Sequence, residues 1–415
     1  MTMENLTIVV LNDYCHIQGG ASRIAIDEAV GLSQAGVRVI FFGAVGPVCQ
    51  ELQDANLEVI SLEQPELMNA AKNPGVMIQG LWNLAASRRM DALLDKLDPR
   101  FTVVHLHGYT KALTTSPVRA AAKRGFPVVC TLHDFFIACP NGAFFDYTQS
   151  KPCERRGLSM DCIRTNCDKR HYAHKLYRVA RSVMQEYAGM LPDGVRDYIT
   201  LSHHSAELLK PYLPANARYH ALENLIEVIK APPVRVAANE AVVAVGRLDI
   251  EKGIEVLLKA SAIANVPLIL VGDGPLRPLA EAQENCRVTG WVSPETVMKE
   301  LDKARCLVFP SLWYEAYGLV VAEAAARGVP AIVSTISAAS ERVTDGIHGW
   351  HVQPGDVEDL VRCLRLTKSN ETLQPMGQAA YDRFWAAPPT RANHIAGLLS
   401  IYDSILTAPA LSITG

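Results

Sequence analysis

The sequence has no strong excess of either charge. Its 415 residues include 40 Lys and Arg against 43 Asp and Glu, which gives a formal net charge of −3. Proteins that bind nucleic acid through their overall electrostatic field carry a clear positive excess. The charge balance therefore argues against a nucleic-acid partner.

The start of the chain lacks a long apolar run. The run from Leu6 to Leu11 is too short to span a membrane, and no basic residue precedes it. We interpret it as a first β-strand and expect no signal peptide. The expected location is therefore the cytoplasm, either in solution or at the inner face of the membrane.

No Gly-x-Gly-x-x-Gly sequence follows any candidate strand, and no internal repeat or low-complexity tract is visible. The missing glycine signature makes a dinucleotide-dependent oxidoreductase a weak candidate. Without a repeat, the two halves of the chain can share a fold type but not a sequence period.

Length and composition indicate a globular protein with two domains. The chain is too long for one ordinary core, and its 49% hydrophobic and 20% charged residues are typical of globular proteins. Short apolar stretches alternate with amphipathic ones, which predicts an α/β fold with parallel, doubly wound sheets. The predicted strands are 7–11, 37–42, 103–106, 128–132, 198–201, 242–245, 268–271, 306–309 and 331–333.

Prolines mark the breaks between these parts. A weakly periodic stretch around Pro232 and Pro233 is predicted to link the two domains, and Pro388 and Pro389 interrupt the last helical pattern. We assign residues 1–226 to the first domain, 227–385 to the second and 386–415 to a C-terminal helical segment that returns to the first domain.

The most informative stretch ends in two glutamates that seven residues separate. Glu315 is predicted in the loop after an apolar strand, and Glu323 about two turns into the helix that follows. A loop carboxylate can accept hydrogen bonds from the hydroxyls of a sugar or ribose, and the amides of a helix N-terminus can face a phosphate. The alternative is a surface glutamate and a helix glutamate in an ordinary βα unit.

Two cations and two glycines follow neighbouring predicted strands. Arg247 and Lys252 lie on one βα loop at the carboxyl end of strand 242–245, where open α/β sheets bind ligands. They suit a diphosphate, Arg as a planar fork and Lys as a point charge. Gly272 and Gly274 end the next strand and would let the backbone approach a ligand closely. Taken separately, these fragments could also be a salt-bridged loop and a plain turn.

Together these motifs resemble the retaining glycosyltransferases of family 4, which have the GT-B fold. The resemblance implies two Rossmann-like domains facing each other across a cleft. It also implies transfer of a sugar from a nucleotide-diphosphate sugar to an acceptor hydroxyl in bacterial cell-surface or extracellular polysaccharide or glycolipid synthesis. The matching segments are Gly246-Arg247-Leu248, Lys252-Gly253, Gly272-Asp273-Gly274-Pro275 and the stretch from Glu315 to Glu323.

The resemblance implies a role for individual residues. Arg247 and Lys252 would bind the donor's diphosphate, Glu315 the hydroxyls of the donor sugar, and Glu323 the ribose. Trp291 lies where the family contacts the base, but we interpret its side chain as a core aromatic. The other implied donor contacts are Gly19, Gly20, Gly272, Gly274, Val292, Ala316, Tyr317, Gly318 and Leu319, with Gly19 and Gly20 approaching the phosphates from the first domain.

The first domain contributes histidines and an aspartate. His133 directly follows strand 128–132, and the resemblance implies that it meets the donor sugar near the reactive carbon. Asp134 either orients that ring or caps a turn. His105 and His107 alternate on one strand and therefore share a face. His107 and Asp134 are candidates for the acceptor side, with a core histidine as the alternative for His107.

An insert at about 139–174 carries four cysteines, Cys139, Cys153, Cys162 and Cys167. Their spacing differs from a zinc knuckle, which has two close pairs. A structural zinc ion would staple the insert, free buried thiols are the alternative, and disulfides are less expected in a reducing compartment. The insert is also basic, so it either contacts an anionic lipid-linked acceptor or membrane surface, or is a solvated helix.

The resemblance implies catalysis that requires no cofactor. The candidate catalytic residues are His133, Glu315, Arg247 and Lys252, and the two cations would stabilise the diphosphate leaving group. Because Glu315 is assigned to hydroxyls, no carboxylate is left as a nucleophile, and attack from the leaving-group face is expected. The acceptor would be a carbohydrate, a lipid-linked molecule or a small molecule. The alternatives are a GT-B-type sugar-nucleotide epimerase and a non-catalytic nucleotide-sugar-binding protein.

Overall fold

Two parallel sheets organise the chain, and the predicted α/β architecture is confirmed. The computed structural model describes residues 5–67 and 73–408. The predicted C-terminal segment is therefore described only to residue 408, and residues 1–4 of the predicted first domain lie outside the described part.

The first domain is built on a seven-stranded parallel sheet in the order β3-β2-β1-β4-β5-β8-β9, and β6 and β7 form a separate antiparallel hairpin. Its strands are β1 (Thr7–Tyr14), β2 (Arg38–Val45), β3 (Glu58–Ser61), β4 (Thr102–Leu106), β5 (Val128–Thr131), β6 (Phe145–Asp146), β7 (Lys151–Pro152), β8 (Asp197–Thr200) and β9 (Arg218–Ala221). Its helices are α1 (Gly20–Gln34), α2 (Gln50–Asp54), α3 (Pro74–Gln79), α4 (Leu84–Leu94), α5 (Ser116–Lys123), α6 (Met160–Arg164), α7 (Tyr172–Val183) and α8 (His203–Leu209).

The second domain has a six-stranded parallel sheet in the order β12-β11-β10-β13-β14-β15. Its strands are β10 (Val242–Val245), β11 (Leu268–Val271), β12 (Cys286–Val288), β13 (Cys306–Phe309), β14 (Ala331–Ser334) and β15 (Gly349–Val352). The helices that follow are α9 (Ile254–Ala264), α10 (Arg277–Glu281), α11 (Pro294–Leu301), α12 (Leu319–Ala326), α13 (Val357–Leu366), α14 (Asn370–Ala386) and α15 (Arg391–Thr407).

Both sheets reverse their strand order near the centre. The reversal falls between β1 and β4 in the first sheet and between β10 and β13 in the second. The central strands are continuous apolar runs because helices cover both faces; in β1, Ile8 and Leu11 are fully buried. Open α/β sheets bind ligands outside the carboxyl ends of strands at such a reversal. The fold therefore points to these ends as the site.

The last helix, α15, packs on the first domain. Its residues Ile395, Leu398 and Tyr402 belong to the core that α1 and the first sheet form. Gly31 of α1 makes this contact possible, because a Cβ there would lie 2.8 Å from the Ile395 side chain. Among the described residues, no helix has the length and hydrophobicity needed to cross a bilayer.

Two local expectations are wrong. β1 continues to Tyr14, three residues beyond the predicted end of the first strand at Leu11, so the connection to α1 is only residues 15–19. In the second domain, α12 begins at Leu319, which places Glu323 one turn into the helix instead of two.

Candidate functional site

Loops at the carboxyl ends of β10, β11 and β13 pack directly against one another. A Cβ on Gly253 would lie 2.0 Å from the carbonyl oxygen of Pro310, and one on Gly272 would lie 2.0 Å from that of Gly246. Gly274 is similarly crowded by the backbone of the β10 loop. These positions therefore require glycine because the loops touch one another there. The reason inferred from sequence was instead a close approach of the backbone to a ligand. Donor contact by Gly272 and Gly274 stays a prediction.

This packing brings the predicted residues Lys252 and Glu315 together. The Lys252 ammonium is ion-paired with Oε1 of the Glu315 carboxylate. The same oxygen accepts hydrogen bonds from Trp313 Nε1 at 2.6 Å and Ser311 Oγ at 3.1 Å. The Lys252 ammonium also lies 5.1 Å from the centroid of the Trp313 ring, within cation–π range. No described residue donates to Oε2 of Glu315, so that oxygen is left for a ligand.

Arg247 lies on the same loop as Lys252 and is half exposed. Its Nη2 atom lies 2.7 Å from Glu251 Oε1, and its Nε atom lies 3.1 Å from Asp249 Oδ2. These two carboxylates hold the guanidinium at the mouth of a cavity of about 280 Å³, open solvent included. Other residues that line the cavity are Gly246, Lys252, Phe309, Pro310 and Ser311.

The first residues of α1 and α12, in different domains, are in contact. A Leu319 methyl group lies 3.6 Å from the position that a Cβ of Gly20 would occupy. Gly19 and Gly318 are the residues just before the two helices, and Gly318 has a φ of 83° that favours glycine. Because helix N-termini present unpaired N–H groups and partial positive charge, two of them side by side suit an anion.

The residues just before α12 also join the domains. The backbone oxygen of Ala316 accepts a hydrogen bond from Ser202 Oγ at 3.1 Å, and the hydroxyl of Tyr317 donates to the Asn224 carbonyl at 3.1 Å. Both side chains are buried in the core of the first domain. Any donor contact by Ala316 or Tyr317 is therefore left to the backbone and stays a prediction.

Glu323 lies half-buried in α12, and no described residue donates a hydrogen bond to its carboxylate. Burial raises the pKa of this carboxyl, and the charge of Arg23 on α1 opposes the shift. Arg23 is itself paired with Asp27 at 2.9 Å and is partly exposed. The Glu323 carboxylate can therefore accept hydrogen bonds from a ligand. Arg23, the cation that affects its pKa, belongs to the other domain.

His133 ends a chain of polar side chains in the first domain. Its Nε2 atom lies 2.9 Å from His107 Nδ1, and His107 Nε2 lies 3.4 Å from Glu28 Oε2. Burial and the nearby His394 lower the pKa of His133 to about 3, so its imidazole is neutral at neutral pH. The side chain of His107 is fully buried, as the core-histidine alternative expects, and it contacts His133; an acceptor contact by His107 stays a prediction.

One group of described side chains, Glu28, His105 and His107, has its ligand atoms within 4.8 Å of one another, as a metal site would. Hydrogen bonds to other buried side chains account for much of this arrangement. Both ring nitrogens of His105 are 2.7 Å from hydroxyls, those of Tyr402 and Thr131. We therefore interpret this group as a buried hydrogen-bonding cluster.

The loop after β5 places His133 close to the Glu315 loop. Asp134 Oδ1 accepts a hydrogen bond from the Phe136 amide at 3.0 Å, so Asp134 caps a turn, and any acceptor contact stays a prediction. Phe135 packs against Tyr314, with ring centroids 6.5 Å apart. The two candidate loops thus meet across the domain boundary.

The interpretation of Trp291 as a core aromatic is wrong. Its side chain is 70% exposed. Val292 is instead the residue that packs, partly buried, against the core of the second domain. Of these two neighbours, Trp291 is the one available to an external group such as a base, and the contact predicted for Val292 would fall to its backbone.

The structure does not assemble the predicted zinc site from Cys139, Cys153, Cys162 and Cys167. No three of these thiols lie within 4.8 Å of one another among the described residues. The buried Lys175 ammonium lies 3.4 Å from Cys162 Sγ and 3.2 Å from Cys167 Sγ, so a cationic side chain already contacts two of the four sulfurs. None of the four forms a disulfide; Cys139, Cys162 and Cys167 are buried and Cys153 is partly exposed, and zinc binding stays a prediction.

Several residues around the site were missed by sequence reasoning. Ser311 and Trp313 lie within the segment already singled out, and their position next to Glu315 was the available signal. Arg23 lies one turn into the helix that follows the glycine pair. Lys169, whose ammonium is ion-paired with Asp249 of the second domain, carries no sequence signal.

Two family models cover most of the chain. Residues 19–224 match the glycosyl transferase 4-like domain, and residues 227–383 match the glycosyl transferases group 1. Among curated relatives, O-antigen chain mannosyltransferase C of Escherichia coli is 31% identical over 172 residues, which are 39% of this chain and 46% of that protein. The matches span 32%, 34% and 46% of the lengths of the first three relatives found.

Solved structures match over nearly the whole chain. Anabaena HepE, solved in complex with UDP and glucose, has a TM-score of 0.65 at 16% identity, with 96% of this chain and 100% of that chain covered. Sucrose-phosphate synthase from Thermosynechococcus elongatus has a TM-score of 0.68 at 18% identity, with 97% and 100% covered. At these identities the likeness establishes the fold, which is GT-B.

Proposed function

Because its two domains are those of a GT-B glycosyltransferase, we propose that this chain is a retaining enzyme of family 4. It moves a sugar from a nucleotide-diphosphate donor to an acceptor hydroxyl in the synthesis of a bacterial surface polysaccharide or glycolipid. The Escherichia coli relative is named for O-antigen mannosyl transfer, and HepE was solved with UDP and glucose, which supports this class of reaction and donor.

The single observation that carries the proposal is the Lys252–Glu315 pair beside Arg247. In one small volume it combines two cations for a diphosphate with a carboxylate oxygen, Oε2 of Glu315, that no described residue uses. A nucleotide-diphosphate sugar carries both chemistries, negative phosphates next to neutral hydroxyls. A site for phosphate alone would have no use for the carboxylate, which repels anions.

Charge at the leaving group is the main catalytic contribution that we assign to these residues. Bond cleavage leaves a nucleoside diphosphate with extra negative charge, which Arg247, Lys252 and the N-terminus of α12 can stabilise from fixed positions. We propose that this protein charge suffices and that catalysis uses no cofactor. Neutral His133 fits a hydrogen-bonding role towards the sugar better than a role as a cation.

Retention of configuration is part of the proposal. A double displacement needs a carboxylate nucleophile beneath the anomeric carbon. Glu315 is not assigned as the nucleophile, because Lys252, Trp313 and Ser311 hold its Oε1 and its Oε2 is proposed to bind the donor hydroxyls. We therefore propose attack by the acceptor hydroxyl on the face that the diphosphate leaves, with the departing phosphate accepting the proton.

The nucleoside end of the donor is assigned to two residues. Glu323 would accept hydrogen bonds from the ribose hydroxyls, since its half-buried carboxylate receives none from described residues. Trp291, with 70% of its side chain exposed, would stack on the base. Specificity for one base would then depend on backbone groups near Val292.

The acceptor side is proposed to lie near a membrane surface at the cytoplasmic face. Exposed apolar side chains occur on neighbouring elements of the first domain, with exposures of 69% for Ile78, 61% for Met160 and 41% for Leu176. Helix α7 joins these elements, because Tyr177 donates to the Met77 carbonyl at 2.9 Å. Binding to phosphatidylglycerol vesicles but not to phosphatidylcholine vesicles would support contact of the basic insert with an anionic membrane surface.

A two-stage experiment tests the function. Thermal shift against a panel of UDP-, GDP-, ADP- and dTDP-sugars identifies the donor, and NMR of that donor with and without candidate acceptors identifies the reaction. Appearance of a glycoside with the donor's anomeric configuration is the expected result. Conversion of the donor without an acceptor would mean an epimerase, and binding without turnover would mean a binding protein.

A further inference from the structure

Lys169 connects the cysteine-rich insert of the first domain to the loop that carries Arg247. Its ammonium is ion-paired with Asp249 Oδ2 and lies 3.8 Å from Glu251 Oε2. The insert thus reaches across the domain boundary to the two carboxylates that also hold the Arg247 guanidinium. None of the roles assigned so far requires this contact.

The two carboxylates depend on the cations around them. The side chains of Asp249 and Glu251 are 3% and 0% exposed. Burial favours the neutral form of Asp249, but Lys169 and then Arg247 outweigh it, so the pKa of Asp249 is lowered. Oε2 of Glu251 is buried and accepts no hydrogen bond from any described residue, and it faces Lys169. Buried charges are costly unless opposite charges neutralise them.

Arg247 has two competing partners when the donor binds, the diphosphate and the buried carboxylates. Its guanidinium is proposed to contact the diphosphate, yet it also neutralises Asp249 and Glu251 in the structure. If Arg247 turns towards the phosphates, the buried carboxylates lose part of their positive charge. Lys169 is the other cation in contact with both, so it can supply the charge that Arg247 withdraws.

The insert fixes the position of Lys169 through the residues just before it. The Asp168 side chain lies 3.1 Å from His174 Nδ1 and accepts the Arg170 amide at 2.9 Å. Cys167 Sγ contacts the Lys175 ammonium at 3.2 Å, and the Cys167 carbonyl accepts a hydrogen bond at 2.9 Å from Asn141 Nδ2 of the same insert. The contacts of Lys175 with Cys162 and Cys167 therefore help to anchor the segment that presents Lys169.

We propose that Lys169 is a positioning residue for the donor site, which neutralises Asp249 and Glu251 across the domain boundary and so releases Arg247 to the donor's diphosphate. The inference rests on the proposed function and names one more determinant of the same site. Without Lys169, Arg247 stays tied to the carboxylates and donor affinity falls. The chemical step after binding is affected less, because Lys252 and Glu315 are untouched.

Calorimetric titration of the whole chain with UDP, GDP, ADP and dTDP tests this role. In Lys169→Gln, we expect affinity for the preferred diphosphate to fall about tenfold, in the range measured for loss of one close charge pair. Lys169→Arg should restore the affinity. The matched control is Lys151→Gln, which alters an exposed lysine of the same insert whose side chain forms no ion pair with a described residue, and this variant should bind as the wild type does.

A double-mutant cycle with Asp249→Asn separates positioning from direct contact. If Lys169 acts through Asp249, the double variant should bind about as weakly as the worse single variant. Additive losses would mean that Lys169 touches the phosphates itself. An unchanged affinity in Lys169→Gln would mean that Lys169 only forms an ion pair between the domains. Either result overturns this inference and leaves the proposed function standing. If the wild type binds none of the four diphosphates, the proposed function fails, and this inference with it.

Discussion

Lys252 and Glu315 form an ion pair although they follow different strands and are 63 positions apart in the chain. The pair exists because β10 and β13 are neighbours in the second sheet, so the loops at their carboxyl ends meet. The lysine would be free to bind phosphate without this contact, but its ammonium would be less well fixed. The second oxygen of the carboxylate accepts no hydrogen bond from any described residue.

Removal of either member of this pair should abolish most of the transfer activity. We expect Glu315→Ala and Lys252→Ala each to reduce kcat/KM at least about a hundredfold, which corresponds to about 2.7 kcal/mol of transition-state stabilisation. The double variant should be little worse than either single variant, because the two groups act as a unit. Initial rates with the identified donor and acceptor measure these effects.

Lys259→Ala is a suitable control for this pair, since Lys259 lies exposed on α9 in the same domain. It should retain wild-type turnover. Near-normal activity in the Glu315 or Lys252 variant would remove both residues from the site.

Replacement of Glu323 should weaken nucleotide binding without a loss of stability. Its half-buried carboxylate accepts no hydrogen bond from described residues, and burial raises its pKa, so its charged form is disfavoured in the unliganded protein. We expect Glu323→Gln to leave the Tm unchanged or raise it, and to reduce affinity for the nucleoside diphosphate about tenfold or more. Calorimetry and thermal melts of the same samples check both parts. A lower Tm with unchanged affinity would instead identify a structural residue.

The contribution of His133 to kcat/KM should not depend on protonation of its ring. Its pKa of about 3 is below the usual 6.5 because of burial and the nearby His394, so the ring stays neutral from pH 5 to 8. We expect His133→Ala to lower kcat/KM roughly tenfold, as for loss of one hydrogen bond to the sugar, by the same factor across that pH range. Parallel pH–rate profiles would support this. An acid limb near pH 6.5 that disappears in the variant would show a catalytic proton on His133.

The centre of each sheet was predictable from sequence, and its edges were not. The bounds of β10, β11 and β13 are confirmed residue for residue, because strands buried on both faces are continuous apolar runs. The edge strands β3, β9, β12 and β15 were missed. Two of them carry an exposed polar residue, Glu58 in β3 and Arg287 in β12, and β9 begins with the partly exposed Arg218, so none of the three shows a continuous apolar pattern.

The candidate site was predictable to the extent that its residues follow adjacent strands. Motifs after β10 and β13 converge because parallel strands end at one edge of the sheet. Contacts from the other domain leave no such trace: nothing in the sequence links Lys169 to Asp249, which are 80 positions apart. The prediction that Trp291 is a core aromatic was wrong because its sequence context is misleading. An aromatic between glycine and valine has the composition of a core segment, yet this one lies at the surface.

One glycine, Gly253, shapes the site by allowing two loops to touch and has no proposed contact with a ligand. Gly253 has a φ of 71°, and a Cβ there would lie 2.0 Å from the Pro310 carbonyl oxygen, so Gly253→Ala must push apart the loops that hold Lys252 and Glu315. Gly346 in the same domain has a φ of 74° with no atom within 4 Å of its Cβ position, which makes Gly346→Ala a matched control. The control should lose only the cost of a left-handed alanine, about 1–2 kcal/mol. We expect Gly253→Ala to have a Tm lower than the control by several degrees and a reduced kcat/KM, whereas equal melting of the two variants would contradict the loop contact.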